Sequence, residues 1–292
     1  MQTHRIVRLI LISLLLVIIT ACSPKTQPNE FIDDSGAAMV WIPAGSFMMG
    51  EDNNVGFEIC RHYTDECEEA WFEVEAPVHE VYLDRYAIDK YQVTNQQFAD
   101  FLNANGNQTE NGYTWYDHDY KDVRIHQVGD TWQPDPGFED HPVMKVNWYG
   151  ANAFCESRAA RLPSEAEWEK AARGGLEGKQ FPWGDENPTC EKGAPNGAHS
   201  SQCGGKTIPV GSFAPNGYGL YDMAGNVWEW TADLFQAYPG GAQHELYSQN
   251  LRVLRGGSWF FAPYFLRVAS RGSLNPFETY HGGGGFRCAK SP

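Results

Sequence analysis

Apolar residues recur at helical spacing in three short stretches of the chain. In "TNQQFADFLNANG", Phe98, Phe101 and Leu102 share one face. Thr94 precedes them as a cap and Gln97 stands where it closes a capping box. "NWYGANAFCESRAA" predicts a second helix. "PSEAEWEKAARGG" predicts a third, with Ser164 and Glu167 as its capping box and Gly174 past its end. "MVWIPAGSFMMG" predicts two short strands around Pro43-Ala44-Gly45. The alternation in "HEVYLDRYAIDKYQVT" predicts a strand pair. Elsewhere Gly, Pro, Asn and Asp interrupt nearly every segment, and the C-terminal third reads as loops and short strands. The expected fold class is α+β: one large domain with few short helices and short antiparallel strands. The 10 Trp, 14 Tyr and 16 Phe are many for such a chain. Buried Trp and Tyr need polar partners, so side-chain networks, disulfides or a metal should hold the fold.

The longest apolar run has another origin. Arg5 and Arg8 precede an uncharged stretch over residues 9–21. It is too short for an ordinary membrane span and suits a signal-peptide core. It ends in Ile19-Thr20-Ala21-Cys22, which resembles a bacterial lipobox. That resemblance implies a signal peptide over residues 1–21 and lipidation of Cys22, each buried methylene contributing ~0.8 kcal/mol to anchoring. Ser23 at the next position implies sorting to the outer membrane under the enterobacterial rule. Residues 22–35 read as a polar, lipidated tether, and residues 36–292 as the domain. The net charge of −15, without a basic run, argues against nucleic acid and anionic lipid surfaces as partners.

With Cys22 lipidated, six cysteines remain in an exported chain, an even number that implies disulfides. Short loops favour Cys60–Cys67 and Cys190–Cys203, which leaves Cys155–Cys288. Zinc is the alternative, but no CxxC or clustered His accompanies these cysteines.

The stretch "PNGYGLYDMAGNVWEWTAD", residues 215–233, places the carboxylates of Asp222 and Glu229 across a Gly-Asn turn. Such a loop can direct both carboxylates and intervening carbonyls to one point, a hard oxygen set that suits Ca²⁺. The alternative is a solvated turn between core aromatics.

The same stretch resembles the signature of the formylglycine-generating enzyme family, also called sulfatase-modifying factor domains. So do "MVWIPAGSFMMG", "DKYQVTNQQFADF", "HPVMKVNWYGANAFC", "RLPSEAEWEKAARGG", "FPWGDENP", "RVLRGGSW" and "GFRCA", in the same order. The resemblance implies that family's fold, a C-type-lectin-like α+β domain low in regular structure. It implies a disulfide between Cys155 and Cys288. It also implies structural Ca²⁺ held by Asp222, Gly225, Val227 and Glu229, the middle two through backbone oxygen. A second family calcium site carries over poorly: Asn196 matches one ligand, but Gln202 stands where an aspartate is expected. The disulfide Cys190–Cys203 would fix that loop instead.

The family's enzyme oxidises a sulfatase cysteine to formylglycine with copper and oxygen, using two cysteines shortly after Gly-Gly-Ser; soft thiolates are what bind Cu(I). Counted from Gly256-Gly257-Ser258, the matching positions are Phe261 and Leu266. Ser258 and Trp228 match active-site positions but read as scaffold without the thiolates. No copper and no catalytic residue are expected. An iron-dependent sulfoxide synthase is a second relative by resemblance, but this chain has no HxxxH-type pair. A third group sharing the fold is the variable ligand-binding proteins of diversity-generating retroelements, whose binding residues lie between "RGGSW" and "GFR". The matching residues here are Trp259, Phe260, Phe261, Tyr264, Phe265, Phe277, Tyr280 and His281, followed by Gly282 and Gly283. Tyr and Phe give large contact area at small entropy cost, so this segment is the expected site for a protein, peptide or glycan ligand. The competing reading is that these aromatics pack the C-terminal lobe. Three roles are thus carried forward: a binding module, an enzyme with relocated chemistry, or a structural component of an envelope complex.

Overall fold

The structure is a computed structural model that describes residues 30–279 and 283–292. The leader, Cys22, Tyr280, His281 and Gly282 lie outside the described residues. The order begins β1 (Glu30–Ile32), β2 (Ala38–Ile42), β3 (Gly45–Met49), α1 (Asn53–Arg61), β4 (His79–Leu83), β5 (Tyr86–Asp89) and α2 (Asn95–Asn105). Two hairpins follow, β6 (Thr109–Glu110) with β7 (Tyr113–Thr114) and β8 (Ile125–Val128) with β9 (Thr131–Pro134). Then come α3 (Trp148–Ser157), α4 (Glu165–Arg173), β10 (Trp228–Leu234), β11 (Arg252–Arg255), β12 (Arg271–Leu274), β13 (Gly284–Gly285) and β14 (Ala289–Lys290).

The three expected helices form where their caps dictate. Thr94 accepts from the Gln97 amide while the Gln97 side chain accepts from Thr94 N, and Ser164 and Glu167 do the same for α4. Gly174 closes α4 in the left-handed conformation (φ 59°). The strands form where expected but pair differently. β4 and β5 do not pair with each other: β4 joins β3, while β5 sits between β2 and β14. Alternation along one strand does not reveal its partner. One sheet runs β1-β2-β5-β14 and the other β12-β11-β10-β13, with β10 and β13 parallel. The domain also starts earlier than polarity suggested. Glu30–Ile32, inside the expected tether, add an edge strand to β2. Asp33 is buried behind it and accepts Arg158 Nη2 at 2.9 Å.

The main core packs α2 and α3 on the second sheet through Phe98, Phe154, Trp230 and Phe286. A second cluster places Trp168 of α4 against Val40, Ile88 and Val268. All three disulfides expected are present: Cys60–Cys67, Cys155–Cys288 and Cys190–Cys203. Among the described residues no helix is long and apolar enough to cross a membrane.

Buried ion pairs tie these layers together. Arg255, Arg267 and Arg287 are each fully buried. Arg287 grips Glu229 through Nε (2.7 Å) and Nη2 (2.8 Å). Arg267 holds Glu51 and Glu75, Arg271 holds Glu165, and Arg255 holds Glu169. Desolvation makes buried pairs of limited net worth, but losing one partner strands a charge.

Candidate functional site

The segment after β11 turns out of the sheet at Gly256 (φ 92°) and Gly257 (φ 70°). A side chain on Gly257 would meet the Phe265 carbonyl at 2.8 Å, so the turn requires glycine there. The loop is then fixed from both ends. Trp259 N donates to Asn226 O (3.0 Å), Phe261 N to Ser258 O (3.0 Å), and Ser201 N to Phe261 O (3.0 Å). Pro263–Leu266 form one short 3₁₀ turn, and Arg267 Nε donates back to Tyr264 O (3.0 Å). The arginines that bracket the aromatics in sequence are therefore internal fasteners.

The rings form a ladder running inward. Trp259 meets Phe260 at 5.5 Å, Phe260 meets Phe261 at 5.7 Å, and Phe261 meets Phe265 at 5.0 Å, all near edge-to-face. Trp228 closes the inner end against Phe261 and Phe265. Phe260 is 58% exposed, and Trp259, Phe261 and Phe265 are half-buried. Tyr264 is a correction to the expected ligand face: it is 8% exposed and packs with Cys60 and Phe72 beneath α1. Its place in the 3₁₀ turn aims it inward. Phe277 belongs to a second stack, with Tyr113 and Tyr149. Tyr280 and His281 lie outside the described residues.

The two thiolate positions hold carbon. Phe261 takes part in the ladder, and Leu266 is fully buried against Phe181, Ala198 and Ala224. Ser258 is buried and its Oγ accepts from Phe260 N (3.4 Å). Among the described residues, the indole N–H groups of Trp228 and Trp259 have no hydrogen-bond partner.

Behind this face, the turn before β10 gathers oxygens. The carbonyls of Asp222 (3.3 Å), Gly225 (3.3 Å) and Val227 (3.2 Å), with Glu229 Oε1 (2.9 Å), all converge on Gln92 Nε2. The four expected residues are therefore brought together, but not as paired carboxylates. Asp222 offers its carbonyl, because its carboxylate turns away to accept Gly211 N (2.7 Å). Burial pushes that carboxyl up to about 6, and the hydrogen bond from Gly211 and the Arg287 charge oppose the rise. Glu229 is also held by Arg287 and by Trp168 Nε1 (2.7 Å). Among the described residues no three His, Cys, Asp or Glu side chains cluster as a metal site; the cage is mostly backbone.

The cage fits a hard cation on two counts. An amide NH₂ has two protons and cannot serve four oxygens. Gln92 Oε1 is itself buried without a partner among the described residues. Turning the amide over would set a fifth oxygen at the focus, repulsive when empty and a ligand around Ca²⁺ at ~2.3–2.6 Å. Gln92 carried no signal in sequence, since an isolated glutamine after a strand is unremarkable.

The ordered loop turn, the backbone oxygen cage and the α4–β10 core together match one known architecture. The family described as "Sulfatase-modifying factor enzyme 1-like domain" matches residues 24–292. This chain belongs to that family. Inactive C-alpha-formylglycine-generating enzyme 2 of Mus musculus is 35% identical over 312 residues, covering 95% of this chain and 92% of that protein. The formylglycine-generating enzyme of Thermomonospora curvata is 32% identical over 322 residues, covering 92% of this chain and 97% of that protein. The solved structure of PvdO from Pseudomonas aeruginosa is similar with a TM-score of 0.64 at 28% identity, covering 91% of this chain and 99% of that one. The fold of this sulfatase-modifying factor family member is thus formylglycine-generating-enzyme-like.

Proposed function

We propose that this chain is a non-catalytic binding module of the sulfatase-modifying factor family, held to the outer membrane of a bacterial envelope by lipid on Cys22. It engages a protein, peptide or glycan through the face around Phe260. The observation that carries this reading is the ring ladder itself. A rigid aromatic lies 58% exposed above positions where the family's chemistry needs thiolates and this chain supplies Phe261 and Leu266. A relative that is 35% identical is itself named inactive, which supports the non-catalytic half of the reading.

Two substitutions separate contact from packing. Phe260→Ser removes a mostly solvated ring, so the melting temperature should hold within about 1 °C while capture of a partner from envelope extracts falls by ~2 kcal/mol or more in affinity, as for a buried anchor. Tyr264→Ala removes a packed ring and should instead destabilise by ~3–5 kcal/mol. If Phe260→Ser leaves the affinity for a captured partner unchanged, this face is not the contact.

We further propose structural Ca²⁺ in the cage of Asp222, Gly225, Val227 and Glu229, with Gln92 turning its oxygen inward. A ligand bound to the folded state alone stabilises by mass action. Calcium should therefore raise the melting temperature of chelator-treated protein, and Gln92→Leu should abolish that rise. Superimposable melting curves with and without calcium, at concentrations up to millimolar, would count against the site.

A further inference from the structure

A second cavity, of about 610 Å³, opens beside the β6–β7 hairpin and the segment after β12. That volume lies within the ~300–1,000 Å³ of small-ligand sites. One wall is formed by Tyr113 and Phe277, with Tyr149 stacked behind Phe277. Tyr113 lies 5.6 Å from Phe277 (interplanar 28°), and Phe277 lies 4.8 Å from Tyr149 (26°). Tyr113, at the outer end, is 51% exposed.

The opposite feature is Lys145. It is 2% exposed, yet its chain lines the cavity. Its backbone is left-handed (φ 62°), a conformation that costs a non-glycine residue energy and persists where its surroundings impose it. Its Nζ lies 3.8 Å from the centre of the Tyr120 ring. Among the described residues that ammonium makes no hydrogen bond and no ion pair. Burial lowers its pKa, and Asp117 and Asp122 act in the opposite sense from beyond contact. The remaining rim is made for hydroxyl groups. Asp117 accepts from Thr279 Oγ1 (3.3 Å), and Thr114 and Glu278 border the same space.

We propose that this cavity binds a saccharide carrying a carboxylate, with the acid on Lys145 and the sugar ring on the Tyr113–Phe277 stack. The proposal rests on the binding-module reading and adds to it a site separate from the Phe260 face. An ammonium partly withdrawn from water and without a contact ion pair favours an anion, although the Asp117 and Glu278 carboxylates on the same rim oppose it. Across a surface this acidic, with a formal charge of −15, long-range attraction does not select anions. Selection has to come from a local cation. A flat ring stack takes the C–H face of a pyranose. An aromatic acid would also stack, but it would make no use of the spare acceptor capacity of Asp117 and the Thr114 and Thr279 hydroxyls on the rim.

The probes are a glucuronic-acid-terminated disaccharide and its neutral glucose counterpart, titrated calorimetrically into the ectodomain. The acid should bind at least tenfold tighter, and the gap should narrow as salt rises. Lys145→Met should bring the acid down to the neutral sugar's affinity. Tyr113→Ala, at a position 51% exposed, should weaken both sugars by a similar factor. Should Lys145→Met fail to fold, the acid-to-neutral ratio and Tyr113→Ala carry the test. Equal affinity for the two sugars, no binding at millimolar concentration, or acid preference surviving in folded Lys145→Met overturns the proposal. Loss of saccharide binding with Phe260-dependent partner capture retained would refute the cavity assignment while leaving the binding-module reading standing.

Discussion

Replacing Arg267 by Met is expected to destabilise the domain by about 3–5 kcal/mol at neutral pH, the cost of breaking a buried pair from one side. Arg267 is fully buried, and its guanidinium donates to Glu51 Oε2 (2.6 Å) and to both oxygens of Glu75 (2.7 Å each). Methionine fills much of the volume but leaves two carboxylates facing each other in the interior. Burial already raises the Glu51 pKa above its ordinary value, with the Arg267 charge pulling it down. Removing that charge raises it further. An acid whose folded pKa lies above its unfolded one binds its proton more tightly in the native state, so stability rises as pH falls through that range. The deficit of the variant should therefore shrink between pH 7.5 and pH 5. Urea unfolding at the two pH values measures it. A loss below 1 kcal/mol at neutral pH would mean that water or another cation replaces the guanidinium. The same variant should loosen the ring ladder, since Arg267 Nε also holds the Tyr264 carbonyl (3.0 Å).

That coupling marks where the sequence was readable. Features encoded within seven residues were legible: the Thr94–Gln97 and Ser164–Glu167 boxes, the Gly174 stop, and the tight Cys60–Cys67 loop. Apart from Cys155–Cys288, reached by elimination and the family resemblance, features set by partners far along the chain were not. Helix α1 is amphipathic but lacks a side-chain cap from Asp52, so no capping signal marked its start. β4 and β5 each alternate, yet they serve different sheets. Phe260 and Tyr264 are four residues apart and similar in type, but one is solvated and the other packs on Cys60. Their difference follows from a 3₁₀ turn that Arg267 and the Gly256–Gly257 bend impose. Gln92 and Lys145 show the same limit. Neither residue type is diagnostic alone, and each acquires meaning from groups brought to it: carbonyls some 130 residues away for Gln92, the Tyr120 ring and a cavity wall of Tyr113 and Phe277 for Lys145. The calcium motif was legible as a set of positions but not as a set of atoms, because the backbone conformation decides whether Asp222 offers its carboxylate or its carbonyl. Asp222 has a left-handed backbone (φ 55°), and it offers the carbonyl.

Cys155–Cys288 should be the largest single covalent contribution to stability. It spans 133 residues, so the chain-entropy account assigns it about 5 kcal/mol, against about 3 kcal/mol for Cys190–Cys203 with its separation of 13. Both sulfurs are fully buried in the core cluster of Phe98, Phe154 and Phe286, where α3 meets the strand end after β13. Alanine at both positions keeps that pocket apolar, so most of the measured loss should come from the unfolded chain. The double variant Cys155→Ala/Cys288→Ala should therefore lose about 4–5 kcal/mol in urea at unchanged pH and calcium. Access orders the reduction of the native protein. Cys190 is exposed and Cys67 half-buried, so dithiothreitol should open Cys190–Cys203 and Cys60–Cys67 first. Cys155–Cys288 should open at the global unfolding rate, because no local motion short of separating α3 from the second sheet uncovers it. Mass-spectrometric mapping of alkylated thiols over time distinguishes the three. If Cys155 is labelled as early as Cys190, the core around Phe154 and Phe286 opens locally, and the stability assigned to this bond has to be placed elsewhere.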